Sequence, residues 1–246
     1  MKTTIIVPTY NEAENLPRLV STFFDLPVSD LNLLIVDDNS PDGTGQLADD
    51  LSAKMNGRME VLHRPGKMGL GRAYIAGFKY CLERGADAIG QMDADFSHPL
   101  DKIPQLIDAV SQYDIAIGSR YIAGGRLDEN WPLWRKGLSA WGNFYARTLL
   151  GMPIRDCTGG FRLYRREVLA NMPLDRIRSN GYIFQVEMAY VAYRLGYRFH
   201  EIPIYFADRR WGKSKMNFRI QAEAAVRVWQ LPPAYRDLSA GGNRKE

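Results

Sequence analysis

The stretch ADAIGQMDADFSHP, residues 86–99, opens as a mostly small and apolar segment from Ala86 to Met92, with Asp87 and Gln91 in it, and breaks off at two acids one residue apart, Asp93 and Asp95. A short apolar run that ends in a polar turn predicts a strand buried on both faces. The same arrangement occurs twice earlier in the chain. Residues 3–8 (TTIIVP) run into Thr9-Tyr10-Asn11-Glu12, and residues 31–36 (LNLLIV) stop at Asp37-Asp38. Three buried strands that each end in polar residues point to a ligand site, because open parallel sheets bind ligands beyond the carboxyl ends of their strands.

The intervening segments predict helices. Leu16, Leu19, Val20 and Phe23 recur at helical spacing between Glu12 and about Phe24. The turn cluster Asn39-Ser40-Pro41-Asp42-Gly43 leads into a helix through about Lys54, and a short strand from Met59 to Leu62 precedes a helix over Gly69–Leu82. A helix from Leu100 to Val110 then leads to a strand over 114–118. Such alternation predicts an α/β fold with a mostly parallel central sheet and helices on both faces. After residue 120 the pattern changes. A tryptophan-rich helix is expected from about Pro132 to Leu150, strands over 159–165 and 198–206, and a helix near 182–195 between them. A basic loop over 207–216 precedes a last helix over 217–231, stopped by Pro232-Pro233, and the residues from 239 to 246 read as a disordered tail.

Composition narrows the partners. The chain has 246 residues, 46% hydrophobic and 24% charged, enough for a substantial core and ordinary for a globular protein. Its net charge of +4 is unevenly distributed. Residues 1–110 carry 16 acids and 10 bases, whereas residues 111–246 carry 12 acids and 22 bases. A basic second half suggests an anionic partner: phosphate, an acidic membrane or nucleic acid. The two cysteines, Cys81 and Cys157, have neither zinc nor disulfide-framework spacing, which fits a reducing compartment. No signal peptide is read at the start, and no run approaches the roughly 18 apolar residues of a membrane span.

Asp93 and Asp95 are one residue apart just past a strand, so both carboxylates can face one site. Oxygen ligands of this kind suit Mg²⁺ or Mn²⁺ shared with substrate phosphates. In the tryptophan-rich helix, Arg135, Ser139, Asn143 and Arg147 repeat every four residues and form a polar stripe, with Trp134, Leu138, Trp141, Tyr145 and Leu149 on the other side. Basic residues beside tryptophans fit a membrane interface, but spacing by itself favours an amphipathic helix whose apolar side covers the sheet. The last helix carries a narrow stripe of Arg219, Glu223 and Arg227, so its apolar circumference needs cover on more than one side: protein on one with lipid or a small membrane-embedded partner on the other, or the domain or a dimer on both.

The motifs VPTYNE (7–12), IVDDNSPDGT (35–44), MDADFSHP (92–99) and GSRY (118–121) together resemble the family 2 glycosyltransferases of GT-A fold. With GFRLY (160–164), GYIFQVE (181–187) and the Ser-Lys of the basic loop, the resemblance is to the dolichyl-phosphate mannose synthase group, and it extends to about residue 230. It implies a catalytic domain over 1–216, a nucleotide site at Pro8, Tyr10, Glu12, Asp38, Lys67 and Asp93, with Gly69 and Gly71 in the same loop as Lys67, and a metal, Mg²⁺ or Mn²⁺, at Asp93 and Asp95. It implies acceptor-phosphate contacts from Arg120, Arg135 and Ser139, and catalytic roles for Asp95, Arg209 and Lys215, the last two closing over the donor diphosphate. Ser97 stands where some members have a metal-binding glutamine. The implied reaction moves mannose from GDP-mannose to a polyprenyl phosphate with inversion, on the cytoplasmic face of a membrane to which the protein is peripheral. UDP-glucose or another donor, a nucleotidyltransferase, and a non-catalytic nucleotide- or lipid-binding module are the rivals. No nucleic-acid reader motif is evident.

Overall fold

The computed structural model describes residues 1–208 and 218–238, with side chains in the last helix from residue 225. Nine strands are described: β1 Thr3–Thr9, β2 Leu31–Asp37, β3 Met59–His63, β4 Ala88–Gln91, β5 Ile115–Ser119, β6 Arg126–Leu127, β7 Arg162–Arg165, β8 Phe199–Pro203 and β9 Tyr205–Phe206. The helices are α1 Leu16–Phe24, α2 Thr44–Ser52, α3 Leu70–Glu83, α4 Ile103–Val110, α5 Leu133–Leu149, α6 Arg166–Asn171, α7 Tyr182–Arg194 and α8 Phe218–Ala234.

Seven strands form one sheet in the order β3-β2-β1-β4-β7-β5-β8, and β6 pairs with β9 beside it. All pairings in the large sheet are parallel except those of β7, which runs antiparallel between β4 and β5. Because successive strand residues face opposite sides, Ile5 and Val7 enter one core and Ile6 the other. Leu16, Leu19 and Phe23 of α1 cover the first face with Ile103 and Leu106 of α4. Tyr74 and Phe78 of α3, the buried residues of α7, and Val228 and Leu231 of α8 cover the second. Both faces of the sheet are therefore closed, as its apolar strands require.

The strand expected over 198–206 is divided at Ile204 into β8 and β9 of different sheets, and that expected over 159–165 begins only at Arg162. Helix α6 and strand β6 were not expected, and two helix boundaries differ. Helix α1 begins at Leu16, not Glu12, because Asn11 takes a left-handed conformation (φ 61°) and Glu12–Asn15 form a hydrogen-bonded turn. Helix α8 continues through Pro232 and Pro233 to Ala234. Each proline loses its own N–H bond and crowds the carbonyl four residues before it, yet in the last turn the Tyr235 N–H to Leu231 carbonyl bond, 3.1 Å, carries the helical path past both. Tyr235 is then buried, its hydroxyl donating to Glu187 at 2.7 Å. The tail expected over 239–246 lies outside the described residues. Among the described residues, no helix is long and apolar enough to cross a membrane.

Candidate active site

Parallel pairing brings the ends of β1, β2 and β4 side by side, Thr9 opposite Asp37 and Ile6 opposite Gln91. The polar residues that follow each strand therefore meet at one edge. There a cleft of about 190 Å³ is lined by Pro8, Tyr10, Glu12, Asp38, Lys67 and Asp93, all six residues expected at a nucleotide, and by Asp95. A larger groove of about 690 Å³ lies near Tyr113, Arg198 and His200. It sits at the amino end of β5 and β8, away from the carboxyl edge where α/β sheets place their chemistry.

The two acids that end β2 divide their tasks. Asp37 is buried and accepts hydrogen bonds from the Thr9 hydroxyl at 2.9 Å and from the Ser40 N–H and hydroxyl at 3.0 and 2.6 Å, so it ties the turn together. Asp38 faces the cleft and pairs with the buried Arg64 at 2.5 Å. Burial raises the Asp38 carboxyl above its ordinary value, outweighing Arg64 and a Met68 backbone N–H, which both lower it. Lys67 places its ammonium 3.8 Å from the centre of the Tyr10 ring. Gly69 has φ of +97°, and a Cβ on Gly71 would fall 2.5 Å from the Ser179 carbonyl oxygen. Gly71 thus lets α3 pack against the loop before α7.

The Asp93–Asp95 turn is held from several sides. The Tyr74 hydroxyl donates to Asp93 Oδ1 at 3.2 Å, and the Asp93 N–H donates to His98 Nδ1 at 3.1 Å. The Ser97 N–H donates to Asp95 Oδ1 at 3.1 Å, and Phe96 between them adopts φ of +59°, an uncommon backbone for a non-glycine residue. His98 is buried against Phe161 at 5.2 Å, and burial lowers its pKa against the pull of Asp93 and Asp95. A neutral His98 accepting at Nδ1 clamps the turn.

Could this turn hold a divalent cation? Among the described residues no group of three or more His, Cys, Asp or Glu side chains converges. Two carboxylates are offered, and the Ser97 hydroxyl beside them is buried without a partner among the described residues. Two hard carboxylates with a spare hydroxyl close by fit Mg²⁺ or Mn²⁺, which keep positions for water and diphosphate oxygens.

The residues expected at an acceptor are built differently. The Arg120 guanidinium makes a two-pronged pair with Asp156, Nε to Oδ2 and NH2 to Oδ1, both at 2.8 Å, and its backbone N–H adds a third bond at 3.0 Å. Both residues are buried. Burial works against the charges, yet their attraction wins: Asp156 titrates below the usual carboxylate range and Arg120 above its own. Arg135 lies over the Trp131 indole, 3.6 Å from its centroid, and meets Asp208 at 3.3 Å. The Ser139 and Tyr121 hydroxyls are 2.7 Å apart. Phe206 links the two halves, 5.4 Å from His98 and 5.3 Å from the Arg120 guanidinium. Arg209 and Lys215 lie outside the described residues.

Helix α5 reverses the ordinary arrangement. Its polar stripe faces the protein: Asn143 is buried, donating to the Arg155 carbonyl and accepting from the Cys157 N–H at 2.9 Å. Trp134 and Trp141 face outward, 69% and 57% exposed, with Leu133 and Phe144. The spacing had favoured the opposite orientation. Only toward the carboxyl end do Tyr145 and Leu149 turn to the core. On neighbouring α8, Val228 and Leu231 are buried while Val226 and Trp229 are exposed.

Asp156, Arg64, Trp131, Tyr74 and Phe206 were not singled out from the sequence. Most are joined to their partners across wide separations, 36 residues for Asp156 and Arg120. Trp131 and Arg135 stand four residues apart, a spacing that could have found them.

Comparison with known proteins identifies the family. Residues 4–172 match the family described as Glycosyl transferase family 2. The undecaprenyl-phosphate mannosyltransferase of Micrococcus luteus is 46% identical over 243 residues, covering 98% of either chain. The polyprenol monophosphomannose synthase of Mycolicibacterium smegmatis is 46% identical over 228 residues, 92% of this chain and 85% of that protein. Among solved structures, a mannosyltransferase from Pyrobaculum calidifontis in complex with GDP-Man and Mn²⁺ superposes with a TM-score of 0.58 at 17% identity, covering 98% of this chain and 76% of the other. The glucosyl-3-phosphoglycerate synthase of Mycobacterium tuberculosis, with Mn²⁺, UDP-glucose and phosphoglyceric acid, gives 0.64 at 13% identity, covering 98% and 82%. Neighbours so distant in sequence speak for the fold alone, whereas the family match and the close relatives speak for descent. The chain belongs to glycosyltransferase family 2 and carries its GT-A fold.

Proposed function

We propose that this enzyme transfers mannose from GDP-mannose to a polyprenyl phosphate, with inversion, giving a β-linked lipid phosphate sugar. One observation carries the proposal furthest: next to the nucleotide cleft, α5 turns Arg135 and Ser139 toward the protein and its tryptophans away from it. A phosphate presented on a lipid needs both, a polar face for the headgroup and an apolar face for the bilayer. The names of the relatives from Micrococcus luteus and Mycolicibacterium smegmatis support the acceptor and the sugar. The GDP-Man in the Pyrobaculum structure supports the donor, while the UDP-glucose in the mycobacterial one keeps that alternative open.

The mechanism asks little acid–base chemistry of the protein. A phosphate monoester has a second pKa of about 6, so near neutral pH its oxygen attacks the anomeric carbon without losing a proton to the enzyme. The new C–O bond forms as the bond to the diphosphate breaks, and the electron pair leaves with the nucleotide. Arg135 and Ser139 orient the attacking phosphate, and Arg120, which the resemblance places with them, is fixed beside them by Asp156. Asp38, Tyr10 and Lys67 bind the nucleotide with Pro8 and Glu12. Asp93 and Asp95 would hold Mg²⁺ or Mn²⁺, a Lewis acid that neutralises the leaving diphosphate. On the resemblance, Arg209 and Lys215 close over that diphosphate. The exposed aromatic faces of α5 and α8 would lie on the cytoplasmic surface of the membrane, with or without a small embedded partner subunit.

The test is a panel of nucleotide-sugars, GDP-mannose and UDP-glucose among them, with and without polyprenyl phosphate and Mn²⁺. Metal-dependent transfer from GDP-mannose alone is expected. Preference for UDP-glucose would replace the donor, and binding without turnover of any donor would reject the catalytic reading.

A further inference from the structure

Trp131 is buried, yet its indole Nε1 has no hydrogen-bond partner among the described residues. Arg135 lies on one face, 3.6 Å from the centroid, and Phe206 meets the ring edge-on at 5.8 Å. The backbone at this point is itself held: the Trp131 backbone N–H donates to the Asp128 carbonyl at 3.2 Å, and the Asp128 carboxylate accepts the Asp208 backbone N–H at 2.8 Å. Asp208 in turn touches one end of the Arg135 guanidinium, at 3.3 Å. A guanidinium stacked on a ring keeps its N–H groups in its own plane, free of the ring and open to oxygen acceptors. With 20% of its side chain exposed, Arg135 remains within reach of a ligand.

From this geometry we infer that Trp131 is a positioning residue for the acceptor: its indole face fixes the Arg135 guanidinium in the orientation that receives a lipid-borne phosphate. The inference rests on the acceptor role proposed for Arg135. Arginine has many rotamers to lose on binding, and a platform that selects one beforehand strengthens phosphate binding without touching the phosphate. Its effect belongs to the acceptor and leaves the donor alone.

Steady-state kinetics of Trp131→Phe, Trp131→Leu, Arg135→Ala and the double variants, with GDP-mannose and a short-chain polyprenyl phosphate, test this. Trp131→Leu should raise the acceptor KM about tenfold, the range of a partly desolvated cation–π contact. Trp131→Phe should recover to within about threefold of the parent, because it restores a face. Donor KM should stay at the parental value throughout, and Trp131→Leu should add nothing once Arg135 is alanine. Equal rises in both KM values, or effects of Trp131→Leu and Arg135→Ala that multiply, would overturn the inference. If Trp131→Leu does not fold, the cycle with Trp131→Phe decides on the same criterion. An Arg135→Ala variant with parental acceptor KM would instead sink the acceptor role itself, and the inference with it.

Discussion

The proposed donor and acceptor halves of the site are held in place by different means. Tyr10, Asp38 and Asp93 follow the ends of adjacent parallel strands, so the register of the sheet places them. Arg120 follows the end of β5 and Arg135 and Ser139 lie on the surface helix α5, and they are placed by other side chains: Asp156, Trp131 and Tyr121. A sheet register survives the loss of a side chain. A side-chain scaffold does not, so the two halves should respond differently to mutation.

Two aspartates give the sharpest test of that difference. Asp95→Ala should reduce transfer roughly a hundred- to a thousandfold, as for other groups that stabilise a developing charge. Thermal unfolding should occur at the parental temperature or higher, because removing one of two neighbouring carboxylates relieves repulsion. Asp156→Ala should do the reverse, costing stability first. It leaves the Arg120 charge buried and unpaired, a loss of about 3–5 kcal/mol, or roughly ten degrees in Tm for a chain of this length. If both variants lose stability equally, the division between the halves is wrong.

The same pair sets a pH dependence. Asp156 is held below the ordinary carboxylate range, so its contribution to stability is complete above that range and is lost as pH falls through its lowered value. Acid titration of the melting temperature should therefore show a limb that Asp156→Ala flattens. The smallest effect is expected at the outer face. Replacing Trp134, Trp141 and Trp229 together should weaken co-sedimentation with anionic vesicles several-fold while leaving transfer to a water-soluble prenyl phosphate near the parental rate. Unchanged sedimentation would leave those aromatics for another partner.

The donor half was legible in the sequence for the reason it is robust. Strand ends are marked by abrupt changes from apolar to polar residues, and Asp37-Asp38 and Asp93-Ala94-Asp95 stand at two of them. The resemblance pointed to Asp38 as the nucleotide contact, and it is Asp38 that lines the cleft while Asp37 ties the turn. The acceptor half was legible in part. Spacing found the stripe Arg135, Ser139, Asn143, Arg147 on α5, but periodicity tells which residues share a side and not which side is turned inward. That depended on Asn143 reaching the backbone at 155 and 157, a contact of tertiary origin. The prolines of α8 misled for a local reason, since a breaker in the last turn costs little when Tyr235 is anchored beyond it.

The single antiparallel strand has a consequence for the order of assembly. Strands β1 to β4 pair among themselves, and all four are complete by residue 91. Strand β5 pairs only with β7 and β8, which come after it in the chain. As the chain emerges from a ribosome, β5 must wait with both edges open until residues 162–203 follow, and β4 keeps one edge open until β7 arrives. The donor edge can therefore form early from contacts close in sequence, whereas the acceptor edge closes last and through the longest loops.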